Sequence, residues 1–286
     1  MNTYPECIPC LLKQSFSALQ MCNVGENETF DILKQILKRA ADFDPRHSPP
    51  EMAMYIHRII RTALNCADPY KEIKHKAIQE VLKYENEIRK RICDSSNPLY
   101  TAIRFALVGN VLDFAIFDWN PSVLAEQLEN AMHKEIDEDK LFVLEQEINK
   151  AASIMVIGDN AGESVFDKLL IEQLRGRNKD IVYVVKGVPV INDVTLNDAV
   201  DSGFDESFRV IDNGSDVPGT LLKYTSEAFL SEFYRADLVL AKGQGNYESL
   251  CDCDRKVFFL TQVKCPVIAR DLNRKTGDWV IAETHN

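Results

Sequence analysis

Apolar residues in the first half of the chain recur at helical spacing. Leu11, Leu12, Phe16 and Leu19 predict a helix over 10–21, and Phe30, Ile32, Leu33, Ile36 and Leu37 predict another over 30–41. Pro49-Pro50 marks a helix start, followed by a stripe of Met52, Tyr55, Ile56, Ile59, Ile60 and Ala63. Asp68-Pro69 opens a further helix running through Ile73, Ala77, Val81 and Ile88. The stretch 99–117 is apolar nearly all round, the pattern of a buried central helix, and Pro121 starts one more.

The second half changes period. Short apolar runs at 153–158, 181–185, 208–211, 238–240 and 257–260 read as strands, with 279–282 as a last edge strand. Amphipathic stretches at 165–174 and 221–233 lie between them. Alternation of this kind predicts an α/β fold: a mostly parallel sheet flanked by helices, preceded by an all-helical domain. The boundary falls in the charged stretch near residue 135, giving a helical domain over 1–135 and an α/β domain over 136–286.

Length and charge narrow the classes. The chain has 286 residues, enough for roughly two domains at about 150 residues each. The formal net charge is −11, which disfavours general nucleic-acid binding because the long-range field repels phosphates. No apolar run is long enough to span a bilayer, and Met1 to Glu6 carry no secretory pattern. Eight cysteines are too few for a disulfide-built scaffold. These features together predict a cytoplasmic protein that binds neither membrane nor nucleic acid.

In an open parallel sheet, ligands bind beyond the carboxyl ends of the strands. Four such loops here combine Gly with Asp, Asn or Lys: Gly158 to Glu163, Lys186 to Asp193, Asp212 to Thr220 and Lys242 to Glu248. Asp159, Asn160 and Asp193 supply hard oxygen donors suited to Mg²⁺ or Mn²⁺. A helix starting near Glu163 would turn its free amides toward an anion. Lys242 would hold a phosphate as a point charge, and Gly243 and Gly245 would let amides approach the same oxygens. Asn246 is placed to orient phosphate or substrate hydroxyls. Local readings compete with each of these. Asp159-Asn160 also fits a turn, Asp193 and Thr220 also fit helix caps, and Lys242 also fits a solvated lysine.

The loops resemble the damage-control phosphatase family, formerly domain of unknown function 89. The resemblance rests on Cys7-Ile-Pro-Cys10 with Gln14, Asp68-Pro69-Tyr70-Lys71, Gly109-Asn110-Val111-Leu112-Asp113, Asp159-Asn160-Ala161-Gly162-Glu163, Gly187-Val188-Pro189 with Asn192-Asp193, and Lys242 to Asn246. The paired cysteines are similar to those of its C-x-x-C subfamily. The resemblance implies a Rossmann-like α/β domain with a helical domain packed on it, and a metal-dependent phosphatase of small phosphorylated metabolites, using Mn²⁺, Mg²⁺, Co²⁺ or Ni²⁺. It implies Asp159, Asn160 and Asp193 as metal ligands and Lys242 as the basic phosphate contact. It also implies that Asn110 and Asp113 close over the site from the helical domain. Either water, with Asp193 or Asp113 as base, or the Asp159 carboxylate would attack phosphorus. A carboxyl methyltransferase using S-adenosylmethionine and a non-catalytic phosphometabolite-binding protein are the alternatives.

The cysteines add one open question. Cys7 and Cys10 have the spacing of half a zinc site, against a reduced, packed pair as the plainer reading. Cys251 and Cys253 make a second, tighter pair, whereas Cys22, Cys66, Cys93 and Cys265 read as core thiols. The five histidines form no H-E-x-x-H spacing, and neither a G-x-S-x-G elbow nor a P-loop is present.

Overall fold

A computed structural model describes residues 1–111, 121–130 and 132–285. Eight helices precede the first strand among the described residues: α1 (Cys7–Met21), α2 (Glu26–Ala41), α3 (Pro49–Ala63), α4 (Lys71–Leu82), α5 (Glu85–Cys93), α6 (Pro98–Val111), α7 (Pro121–Asn130) and α8 (Glu138–Lys150). Strands and helices then alternate. They are β1 (Ser153–Ile157), α9 (Ser164–Arg175), β2 (Asp180–Val185), α10 (Leu196–Asp201), β3 (Arg209–Asp212), α11 (Glu227–Arg235), β4 (Leu238–Lys242), α12 (Gly243–Leu250), β5 (Phe258–Gln262), α13 (Pro266–Asp271) and β6 (Trp279–Glu283).

The strand order is β3-β2-β1-β4-β5-β6. β1 to β5 pair in parallel and β6 closes the edge antiparallel to β5. The fold is therefore the mixed α/β class that the periodicity predicts. Alternation within each strand divides the core between the two faces. Ile154 and Val156 of β1 join a cluster with α4, α5, α6, α8 and α9, while Met155 and Ile157 join one with α11, α12 and α13. Both faces are covered at the centre of the sheet, so β1 and the interiors of β2 and β4 are apolar. α1, α2 and α3 enclose a third cluster around Leu19, Ile36 and Ile60.

Three elements depart from the sequence expectation. The helix expected to run from Asp68 to Ile88 is two. Lys83 N and Tyr84 N bond three residues back, tightening the end of α4, and α5 restarts on acidic Glu85 and Glu87. The stretch 221–233 is α-helical only from Glu227, after a 3-10 turn at Leu222–Tyr224, because the Ser226 hydroxyl caps α11 by accepting from Phe229 N. α8, which was not expected, begins at Glu138 just after the charged stretch near residue 135, with the Asp137 side chain accepting from Lys140 N.

Glycine sets one close approach that matters for the site. A Cβ on Gly109 of α6 would lie 3.0 Å from the Phe166 ring and 3.2 Å from Glu163 Cγ. α6 therefore lies directly on the turn that follows β1. No helix of the described residues is long and apolar enough to cross a membrane.

Candidate active site

The chain reverses its winding direction between β1 and β4, and this switch point is where a crevice opens at the strand carboxyl ends. Gly158 ends β1, and a Cβ there would meet the Tyr183 hydroxyl at 2.5 Å. The loop after β2 then runs antiparallel beside it. Asn160 and Asp193 form a β-bridge, Ala161 N donates to Asn192 O at 2.8 Å, and Val194 N donates to Asp159 O at 2.8 Å. Backbone pairing thus brings Asp159, Asn160 and Asp193 together, all buried. Asp193 is not a helix cap: Thr195 caps α10, in a reciprocal box with Asp198.

Ile191 holds this loop under strain. Its φ is +46, unfavourable for a β-branched residue and worth roughly 1–3 kcal/mol. Its side chain packs against the cluster of α1, α2 and α3, which sustains the conformation. Arg61 Nη1 adds a bond to Pro189 O at 2.8 Å, and Arg58 and Arg61 both clasp Asp216 on the loop after β3. The helical layer therefore fixes two of the site loops from outside the sheet.

The electrostatics favour a cation. Burial, then the charges of Glu163 and Asp193, push the Asp159 carboxyl well above the usual range, against the pull of Lys264 and Lys186. Asn160 Nδ2 donates to Glu163 Oε1 at 2.6 Å and makes a long 3.4 Å contact to Asp159 Oδ2. Among the described residues no hydrogen bond reaches Asn160 Oδ1, which leaves that oxygen for a cation. Two carboxylates and one amide oxygen make a hard donor set, and a divalent ion would relieve the repulsion between the acids. These residues fit such an ion.

Lys242 departs from the expectation of an ammonium reaching the cleft. It is 0% exposed, and its Nζ donates to Glu163 Oε2 at 3.0 Å and Asp167 Oδ1 at 2.8 Å, both equally buried. Glu163 and Asp167 lie four residues apart at the start of α9, so one lysine meets both. Burial lowers the Lys242 pKa, but the charges of Asp167 and Glu163 outweigh it and hold the ammonium above its usual range. Glu163 is likewise turned to Asn160 and Lys242 rather than toward an anion.

The neighbouring residues serve as scaffold. Gly243 has φ +80, and a Cβ would lie 1.8 Å from Asp159 Oδ2, so the start of α12 abuts that carboxylate. Both amide hydrogens of Asn246 are used, on Gly158 O at 3.1 Å and Lys242 O at 2.7 Å. Thr220 does not cap a helix; its Oγ1 donates to Asn246 Oδ1 at 2.8 Å. Asn110 lies in α6 next to Gly109, but its side chain, like the whole of Asp113, lies outside the described residues. An open cavity of about 210 Å³ sits elsewhere, lined by Ser153, Asp180 and Arg209 at the amino ends of the strands. The buried polar groups converge at the opposite end of the strands.

Sequence reasoning passed over three buried groups. Asp167 was read as part of an amphipathic helix, although an acid four residues after Glu163 in an apolar turn signals a buried partner. Lys186 follows β2 directly; its Nζ lies 3.4 Å from Asp193 Oδ2 and donates to Gly219 O. Tyr183 donates its hydroxyl to Asp167 Oδ2 at 3.0 Å from within β2.

Comparison with known proteins adds an independent line. A family model described as the damage-control phosphatase ARMT1-like domain matches residues 3–280. An uncharacterised protein of Methanocaldococcus jannaschii is 34% identical over 97% of this chain and 94% of its own length. A protein of Pyrococcus horikoshii named a damage-control phosphatase is 31% identical over 97% of this chain and 96% of its own, and one of Archaeoglobus fulgidus is 30% identical over 98% of each. The crystal structure of a DUF89 family protein from Pyrococcus horikoshii superposes with a TM-score of 0.89 at 29% identity, covering 100% of both chains.

Proposed function

The chain belongs to the damage-control phosphatase ARMT1-like family, and on that premise we propose that it hydrolyses phosphate monoesters of small metabolites, sugar phosphates or damaged phosphometabolites, with a divalent metal ion. Asp159, Asn160 and Asp193 would hold the ion. The observation that carries this reading is their convergence at the switch point, where backbone pairing seats two mutually repelling carboxylates beside a free amide oxygen. When bound, the ion neutralises phosphoryl charge as the P–O bond breaks.

The protein's own groups divide the remaining work. Glu163, held by Lys242, orients Asn160 through the 2.6 Å bond to its amide nitrogen. This makes Lys242 a positioning residue in our reading, not a direct phosphate anchor. Lys264 is half-buried and its charge reaches Asp159, so we assign it the second cationic contact to phosphate. The amides at the start of α12 face the same region. Acid-quench trapping of a phosphorylated Asp159 separates attack by that carboxylate from attack by water. The segments 1–135 and 136–286 would act as a helical clamp and a catalytic layer.

Hydrolysis of p-nitrophenyl phosphate tests the proposal. We expect loss of turnover with EDTA and recovery with Mn²⁺, Co²⁺, Ni²⁺ or Mg²⁺. Turnover undiminished by exhaustive chelation would refute metal dependence. Absence of turnover with every ion, alongside tight binding of a sugar phosphate, would make the protein a binding module.

A further inference from the structure

Of the eight cysteines, none of which enters the phosphatase reading, three lie where α1 meets α13. Cys7 opens α1 and Cys10 follows one turn later; Cys7 is half-buried and Cys10 exposed. Cys265 occupies the N-cap of α13, also half-buried. It was expected in the core, as were Cys66 and Cys93, which are exposed. Arg270 of α13 bonds Glu6 at 2.7 Å, which brings α13 against the start of α1. From α12, Gln244 Nε2 donates to both Glu248 Oε1, at 2.8 Å, and Cys265 Sγ, at 3.7 Å. Cys265 and Glu248 thus share one amide partner, and α13, which carries Cys265, lies against the start of α1, which carries Cys7 and Cys10. Burial raises both the Cys7 and Cys10 thiols, and beyond burial Cys265 and Glu248 raise each of them further.

We propose that Cys7, Cys10, Cys265 and Glu248 form a binding site for a thiophilic divalent cation of the zinc class, separate from the oxygen site at Asp159. The C-x-x-C turn supplies two ligands from one helix, α13 the third and α12 a carboxylate, a set that zinc accepts in four-coordinate geometry. Binding displaces the thiol protons to solvent, since thiolates are the ligands. No three of these ligand atoms lie within 4.8 Å of one another, so the set closes only as side chains turn inward, Cys10 most readily because it is exposed. A tighter trio, Cys251, Asp252 and His285, is less suited. Its Asp252 already pairs with the Met1 ammonium at 2.9 Å and His285 Nδ1 at 3.0 Å, so its charge is balanced.

The position gives the site a consequence. Gln244 follows Gly243, whose Cα abuts Asp159, and Gln244 Oε1 accepts from Lys264 N at 3.0 Å. A metal joining α1, α12 and α13 would tie the N-terminal helix to the edge of the phosphate site.

Two measurements on the full chain test the proposal. In the first, metal-free wild-type protein is alkylated with and without one equivalent of Zn²⁺, and labelling is read cysteine by cysteine. Zinc should protect Cys7, Cys10 and Cys265 at least tenfold and leave exposed Cys66 and Cys93 unchanged. Unprotected Cys10 overturns the site. In the second, Co²⁺ is titrated into wild type, D159N, C265S and C251S. A thiolate-to-cobalt charge-transfer band should appear in wild type and D159N, persist in C251S and vanish in C265S. A band absent from wild type, or one lost in C251S and kept in C265S, refutes the assignment.

Discussion

Replacing Lys242 by Met separates the two roles open to this lysine. In the structure its ammonium is enclosed with Glu163 and Asp167, all three 0% exposed. Methionine leaves two buried acids without their cation. Breaking a buried ion pair by removing one partner destabilises by about 3–5 kcal/mol. For 286 residues, an unfolding entropy of about 2 cal/mol/K per residue converts this to a fall in Tm of roughly 5–8 °C. The pH dependence has a definite sign. Burial already raises the Asp167 carboxyl, and Lys242 is the main group opposing it, ahead of the bond from the Tyr183 hydroxyl. Without Lys242 the folded-state pKa rises further above the unfolded value. Such a group takes up a proton in the folded protein, so the penalty grows as pH rises from about 4 toward the folded pKa. The Tm gap between wild type and K242M should therefore widen from pH 5 to pH 8. Adding D167N should recover at least half of it. Calorimetric scans across that range, with metal binding measured in parallel, give the answer. If K242M melts within about 2 °C of wild type at pH 8 while kcat/KM falls a hundredfold, the ammonium faces substrate and the triad reasoning is wrong.

Other perturbations probe the rest of the site. D159N should abolish divalent-metal binding in calorimetry yet raise the Tm of the metal-free protein, because it removes a charge that burial, Glu163 and Asp193 all oppose; unchanged metal affinity counts against Asp159 as a ligand. Metal binding to wild type should release protons, increasingly so as pH is lowered, read as a dependence of binding heat on buffer ionisation enthalpy, and a heat independent of buffer across the pH range contradicts the raised Asp159 pKa. G243A drives a Cβ to 1.8 Å from Asp159 Oδ2 at φ +80, and should lower both metal affinity and kcat/KM at least tenfold; normal kinetics would mean that α12 does not abut the carboxylate. Burial raises the Asp216 carboxyl, but the bonds from Arg58 and Arg61 prevail and hold it below the usual range. Its roughly 2 kcal/mol contribution is present above the unfolded pKa near 4 and lost as pH falls through the lower folded pKa. The stability gap between wild type and D216N should accordingly close below about pH 4, and a gap constant down to pH 2 argues against the clasp.

The fold was legible because the sheet is buried on both faces. The central strands β1, β2 and β4 are apolar runs that end at or before Gly158, Lys186 and Lys242, and period-2 alternation between the two clusters does not interrupt them. α8 was hidden because only Leu141, Leu144 and Ile148 face the core, and its charged first turn looks like a linker. The split of α4 from α5 was hidden because Tyr84 is an ordinary helical residue, and the break comes from tightened bonding at Lys83 and Tyr84 rather than from Pro or Gly.

The site was legible to a different depth. Strand ends fix where a backbone stops, so Asp159, Asn160, Asp193 and Lys242 could be assigned to one edge from spacing alone. Spacing does not fix where a long side chain turns. Lys242 and Lys186 occupy equivalent stations, one at the last residue of β4 and the other directly after β2, and both look available to a phosphate. What decides is the charge each meets inside. Lys242 meets Glu163 and Asp167 from the first turn of α9, two acids against one cation, and is drawn into the protein. That excess of negative charge then has to be carried somewhere. Through Glu163 it reaches Asn160 and raises the pKa of Asp159, so on the proposed function the lysine that looked like an anion anchor would instead help hold a cradle for a cation.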